Sequence, residues 1–331
     1  MRAKIISFVV VGAIAFSAWP LGARQVSTIT STLLEFGYTV VKLKRSQNHV
    51  YASCKVNGQD ANLAVDTGAQ RTAISPAKLG SAAQSAKKHE GHAYGVMGQM
   101  SGSLKSADVS DFQVGSYNGG SHPVEVWDFS RQKTPAAGIR MDGLLGIDFL
   151  HRHQAVIDCF QMNLFLKSPS APSSSAALSA GLKAGGCIEI PIHVVSDGLA
   201  VSVQINGKAG YLILDTGAPW TVFRERAIAD LNLRRVSAGI NAGIADVQRG
   251  VTRVHTVYFQ TMEIGGFSVP PQGVAVSDLP TLRGGGPGGV FFGFLGQDLL
   301  SYYVGIVDCH ALKLYLRLDP AVEAERKKRN G

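Results

Sequence analysis

An all-β chain built from two equivalent lobes is the fold class that the sequence predicts, and three observations predict it. The 331 residues are 45% hydrophobic and 17% charged, with 38 glycines and frequent Val and Ile, a balance that favours strands and turns and fills two modest domains. One stretch occurs twice: Leu63, Ala64, Val65, Asp66, Thr67, Gly68 and Ala69 return as Leu212, Ile213, Leu214, Asp215, Thr216, Gly217 and Ala218, 149 positions further on. The agreement also extends well beyond that stretch. Thr72 and Thr221 follow their aspartates at the same distance, and each copy is preceded by an Asn-Gly turn, Asn57-Gly58 and Asn206-Gly207. Downstream, Gly143-Leu144-Leu145-Gly146-Ile147-Asp148 matches Gly293-Phe294-Leu295-Gly296-Gln297-Asp298, and Val156-Ile157-Asp158-Cys159 matches Ile306-Val307-Asp308-Cys309, all at an offset of 150. Such agreement marks one unit, duplicated.

Taken in order, residues 1–23 open with Arg2 and Lys4, an apolar run from Ile5 to Ala18, and the small residues Gly22 and Ala23. That is the grammar of an export signal, or of an anchor over 5–19 if it is not removed. The expected location is outside the cytoplasm, periplasmic or secreted, with membrane association only through an uncleaved leader. The first lobe is expected over 24–167. From Tyr38 it alternates apolar positions (Val41, Leu43, then Val50, Cys54) up to the Asn57-Gly58 turn, the pattern of a β-hairpin feeding the Asp66 strand. Residues 168–186 are rich in Ser, Ala, Gly and Pro and read as a flexible linker. The second lobe, 187–319, repeats the opening with Ile188, Ile190, Ile192, Leu199, Val201, Val203 and Ile205 before Asn206-Gly207. A basic tail, 320–331, follows. Between each aspartate and its downstream glycine lies a glycine-punctuated hairpin, with Tyr94, Val96, Met97 and Met100 in the first lobe and Ile240 and Ile244 in the second.

The net charge of +8 is concentrated at the ends, in Arg2, Lys4, Arg326, Lys327, Lys328 and Arg329. No basic stripe interleaved with aromatics accompanies it, so no nucleic-acid partner is expected. The glycine run 284–289 lacks the Lys-Ser or Lys-Thr of a phosphate cradle, and His151 and His153 are spaced to diverge on a helix, so neither a nucleotide nor a metal is expected. Four cysteines in an exported chain permit three disulfide connectivities, and the sequence does not choose among them.

The chemistry sits in the repeat. A carboxylate at the end of a buried strand is costly unless donors meet it, and Gly68 and Gly217 allow backbone amides to approach. Two such carboxylates facing each other across a pseudo-twofold axis share one proton and hold one water.

At Asp-Thr-Gly-Ala, present twice, the chain resembles the aspartic peptidases. The Ala after each triplet resembles the retropepsin-like branch, and two lobes in one chain resemble pepsin. The resemblance implies an acid-protease fold of two duplicated β-barrel-like lobes, with Asp66 and Asp215 as the catalytic pair of an aspartic endopeptidase. It implies that Thr67 and Thr216 lock the two loops together, with Gly68, Ala69, Gly217 and Ala218 supporting the pair. It further implies that Gly146 and Gly296 let the chain thread behind each loop in a ψ-shaped crossover, and that the two hairpins are flaps lining the cleft. A peptide or protein substrate, no cofactor and a monomer with an intramolecular pseudo-dimer complete that expectation. Two alternatives stay open: a catalytically silent peptide-binding protein of this fold, and a homodimer pairing equivalent lobes of two chains. Which aspartate carries the proton is not assigned by the sequence, because such a pair titrates together.

Overall fold

The computed structural model describes residues 8–11, 28–89, 93–95, 98–100, 104–130, 138–196, 198–235, 242–246, 250–279, 285–286 and 289–318. The chain is mostly β, and its two lobes repeat one topology. In the first, the hairpin His49–Val56 and Gln59–Val65 leads to the strand Gly143–Leu145, which lies parallel to Leu63–Val65 and antiparallel to Ala73–Ile74. In the second, Gly198–Ile205 and Lys208–Leu214 lead to Gly289–Leu295, parallel to the end of the Asp215 strand and antiparallel to Val222–Phe223. His122–Val126 and Gln272–Ser277 each then add a parallel strand on the far side.

The Asn-Gly turns work by backbone conformation. Asn57 and Gly58 have φ of 48° and 83°, Asn206 and Gly207 of 46° and 79°, the positive pair that a two-residue hairpin turn needs. Each Asn side chain also accepts two backbone N–H bonds from a neighbouring turn, Asn57 Oδ1 from Ser110 and Asp111, and Asn206 Oδ1 from Gln260 and Thr261.

A six-stranded antiparallel sheet joins the lobes. Its order is Thr39–Lys42, Asn163–Leu166, Val156–Asp158, Ile306–Asp308, Lys313–Leu316 and Ile188–Val195, three strands from each half. Ile157 pairs with Val307 at its centre, which places the pseudo-twofold axis there. Alternation sends Ile157, Leu164, Val307 and Leu314 into the main core and Val156, Phe165, Ile306 and Tyr315 to the opposite face.

That opposite face corrects the expectation of a flexible linker. Ser175–Ala184 is a helix, and Leu178 and Leu182 pack with Ile29 and Leu33 of a second helix, Thr28–Glu35, against Phe165 and Tyr315. Ala, Leu and Lys favour helix, and two Leu one turn apart give it an apolar stripe, so burial of the sheet outweighs the freedom that Ser and Gly suggested.

The four cysteines are buried free thiols. Cys159 N–H donates to Gly305 O and Cys309 N–H to Ala155 O, which sets the two repeat-equivalent thiols at opposite ends of the central ladder. Four residues of strand span roughly 13 Å, well beyond the ~7 Å limit between the Cα atoms of a disulfide. Among the described residues, no helix is long and apolar enough to cross a membrane. Phe8–Val11, within the expected leader, is a strand antiparallel to Ala242–Asp246. The basic tail lies outside the described residues.

Candidate active site

Each Asp-Thr-Gly-Ala begins where its strand ends, and the two loops meet on the axis. Thr67 N–H donates to Thr216 Oγ1 at 3.1 Å and Thr216 N–H to Thr67 Oγ1 at 3.0 Å. The hydroxyls donate in turn to the opposite strands, Thr67 to Leu214 O and Thr216 to Val65 O, both at 2.8 Å. A hydroxyl is the one small group that both accepts and donates here, so Thr at both positions satisfies four buried backbone groups at once. At about 1 kcal/mol net for each bond, this lattice ties the lobes together at the site itself.

Asp66 and Asp215 are fully buried. Asp66 Oδ1 accepts from Gly68 N–H at 2.9 Å and Ala69 N–H at 3.0 Å, and Asp215 Oδ1 accepts from Ala218 N–H at 2.9 Å. The glycines have a steric reason. A Cβ on Gly68 would lie 2.7 Å from Asp215 Cγ, and one on Gly217 would lie 2.4 Å from Asp66 Cγ, so each glycine lies against the opposite carboxyl. Apart from each other, the Oδ2 atoms of the two aspartates are buried without partners. Burial raises the pKa of both, and the charge of Asp215 raises that of Asp66 further, well above the ordinary carboxylate range. One proton on the pair turns repulsion between them into a hydrogen bond.

Behind each loop a second carboxylate holds the chain. Asp148 Oδ1 accepts from the N–H and the hydroxyl of Thr72, each at 2.8 Å, and Asp298 Oδ1 does the same for Thr221. Each of these hydroxyls accepts an N–H, from Gly146 at 3.1 Å and from Gly296 at 3.0 Å. Added Cβ atoms on these glycines would lie 2.5 Å from Arg71 C and 2.4 Å from Trp220 C, so the chain passes there only as glycine. Burial pushes Asp298 up to about 6 against the bonds from Thr221.

Asp148 and Asp298 stand within the duplicated motif, and their repetition was the signal for a role that sequence reasoning left unassigned. His49 and Gln297 are different. His49 Nδ1 lies 3.0 Å from Gly217 O, and Gln297 Nε2 donates to Thr216 O at 3.2 Å. The counterparts of these two residues are Gly198 and Ile147, so a search for what both copies share passes over them.

Apolar walls flank the loops. Tyr51, Ala64, Leu104, Trp127, Phe129, Met141 and Leu144 pack with Ala69, and Ala200, Ile213, Val222, Leu279, Phe291 and Phe294 pack with Ala218. Of the expected flap residues, Val96, Met97 and Ile240 lie outside the described residues. Tyr94 and Met100 belong to the hairpin Ala93–Gly95 and Gly98–Met100, and Ile244 to Ala242–Asp246, which pairs with Gly250–Phe259.

Among the described residues, no cluster of His, Cys, Asp and Glu could hold a metal ion. His153 is buried and bonded to the Tyr117 hydroxyl at 2.8 Å, whereas His151 packs against His310 with ring centroids 5.3 Å apart.

The family model described as aspartyl protease matches residues 52–149 and again 201–299, one match for each lobe. Among solved structures, the aspartic proteinase from Irpex lacteus is similar with a TM-score of 0.51 at 14% identity, over 87% of this chain and 99% of that one, a likeness of fold. No curated protein matches the sequence.

Proposed function

Because the chain belongs to the aspartyl protease family, we propose that it is an aspartic endopeptidase whose nucleophile is a water held between Asp66 and Asp215. The observation that carries this reading is the pair itself: two fully buried carboxylates from two lobes, locked face to face by Thr67 and Thr216, with unpartnered Oδ2 atoms. The ionised member takes a proton from the water as the oxygen attacks the scissile carbonyl, and the protonated member gives its proton to the carbonyl oxygen. Ordinary carboxylates would both be charged at neutral pH, so the burial that raises both pKa values keeps the singly protonated state in place at higher pH. The proposal includes the hairpins at 93–100 and 242–254 as flaps that offer main-chain bonds to an extended peptide. It also includes an exported setting, which rests on the leader-like segment 1–23.

Cleavage of a peptide library by the wild type, Asp66→Asn and Asp215→Asn tests the reading. Hydrolysis by the wild type and a loss of about 10³-fold or more in each variant is expected, because either change removes the shared-proton chemistry. Near-full activity in either variant overturns it. Tight peptide binding without cleavage by any of the three supports a silent binding protein instead.

A further inference from the structure

The two catalytic loops are not supported alike from behind. His49 is buried, and a carbonyl oxygen only accepts, so its Nδ1 carries the hydrogen that meets Gly217 O. Burial holds the ring neutral, with its pKa lowered to about 4. The side chain of Gln297 is oriented by its own neighbours. Ser301 Oγ donates to Gln297 Oε1 at 3.3 Å, and Arg45 donates to Ser301 Oγ at 2.7 Å, which leaves Nε2 to meet Thr216 O. Asn48 donates to Pro219 O in the same loop.

These carbonyls belong to the peptides that serve Asp215. The Thr216 carbonyl shares its peptide with Gly217 N–H, which stabilises the charge of the Asp215 carboxylate, and the Gly217 carbonyl shares its own with Ala218 N–H, which donates to Asp215 Oδ1 at 2.9 Å. A donor on the oxygen of an amide polarises its N–H, so each bond behind the loop strengthens one in front of it. A stronger donor to an ionised carboxylate favours the ionised form. Behind the Asp66 loop the equivalent positions are Gly198 of the second lobe, without a side chain, and Ile147 of the first, without a donor.

We infer that His49 and Gln297 are positioning residues that keep Asp215 the ionised member of the pair and leave the shared proton on Asp66. Among the described residues, the titratable groups around Asp215 are Asp66 across the axis and His49 behind the loop, with Tyr51 beside His49 at a centroid distance of 6.3 Å. The assignment gives direction to the reaction. Asp215 takes the water proton as the water oxygen bonds to the carbonyl carbon, and Asp66 delivers its proton to the carbonyl oxygen. On collapse the C–N bond breaks, the amine nitrogen takes the proton from Asp215, and a hydroxyl of the intermediate returns one to Asp66. The inference rests on the peptidase reading for its chemistry, but the charge assignment can be measured without any substrate.

The test is a ¹³C NMR titration of the side-chain carboxyls, assigned with Asp66→Asn and Asp215→Asn, alongside pH profiles of kcat/KM on a cleaved peptide. In the wild type, Asp215 is expected to ionise first. His49→Phe with Gln297→Leu should raise the Asp215 titration by about half a pH unit and move the acidic limb of the rate profile with it. His49→Asn, which keeps a donor near the Nδ1 position, should restore most of the shift caused by His49→Phe. Ionisation of Asp66 first in the wild type overturns the inference, even if the His49 and Gln297 variants do not fold. Titrations unmoved in a folded double variant, or His49→Asn shifted as far as His49→Phe, overturn it as well. Should no peptide be cleaved while the Asp215 titration shifts as stated, the peptidase reading fails and the positioning role stands.

Discussion

The two lobes share a backbone and differ in how they fill it. At paired positions of the hairpin that leads to each aspartate, the first lobe sets Tyr51 beside Ala64 and the second sets Ala200 beside Ile213. Large faces small in both, with the order reversed. The first lobe buries imidazoles at His49, His122 and His153, where the second has Gly198, Gln272 and Tyr303. What has not diverged is Thr67 with Thr216, Gly68 with Gly217, and Thr72, Asp148 and Gly146 with their counterparts. Those positions meet across the axis or thread past backbone, where geometry admits one residue type. A core position asks only for volume, which a neighbour can supply.

The largest test of that contrast is at the axis. On the peptidase reading, Gly217→Ala and Gly68→Ala should each lower kcat/KM by about 10³-fold, because each Cβ would collide with the opposite carboxyl and misplaced reacting groups are costly. The losses should be similar. A lobe that tolerates its alanine would show that the glycines are not equivalent, against the close approaches on both sides.

A second test exchanges volume. Tyr51→Ala should cost about 3 kcal/mol in chemical denaturation, since it empties a buried aromatic site. Adding Ala64→Ile copies the arrangement of the second lobe and should recover about half of that. No recovery would mean that the walls are not interchangeable and that Tyr51 has a use other than packing.

The smallest effect concerns acid. Burial lowers His153 to about 4, as it does His49, whereas the unfolded imidazole titrates near 6.5. The unfolded chain therefore binds more protons in that interval, and stability is lost as pH falls from about 6.5 through about 4. In the second lobe Asp298 is raised to about 6, so the native state binds the extra proton and that group gains stability over the fall from about 6 to 3.8. His153→Tyr, which installs the residue found at Tyr303, should reduce the loss of stability between pH 6.5 and 4 by about 1 kcal/mol or more. Denaturant melts at the two pH values measure it, and a variant as acid-sensitive as the wild type would place the sensitivity elsewhere.

Much of the site is legible in the sequence. Asp66, Asp215, both Thr, the flanking Gly and Ala, and the Asn-Gly turns are repeated in the string, and a repeated polar residue in an apolar strand has a chemical reason to persist. The tertiary structure decided the rest. Within the Ser- and Gly-rich stretch 168–186, Ser175–Ala184 is helical because the sheet joining the lobes presents Phe165 and Tyr315 for Leu178 and Leu182 to cover. Asp148 and Asp298 gained roles only when Thr72 and Thr221 came within hydrogen-bond reach. His49 and Gln297 have unlike counterparts, and the carbonyls they meet lie 168 and 81 residues away along the chain. Repetition reveals a residue that both lobes use, even where its partner lies across the axis as with Thr67 and Thr216, whereas a contact made only once, as by His49 or Gln297, exists only where packing brings the two groups together.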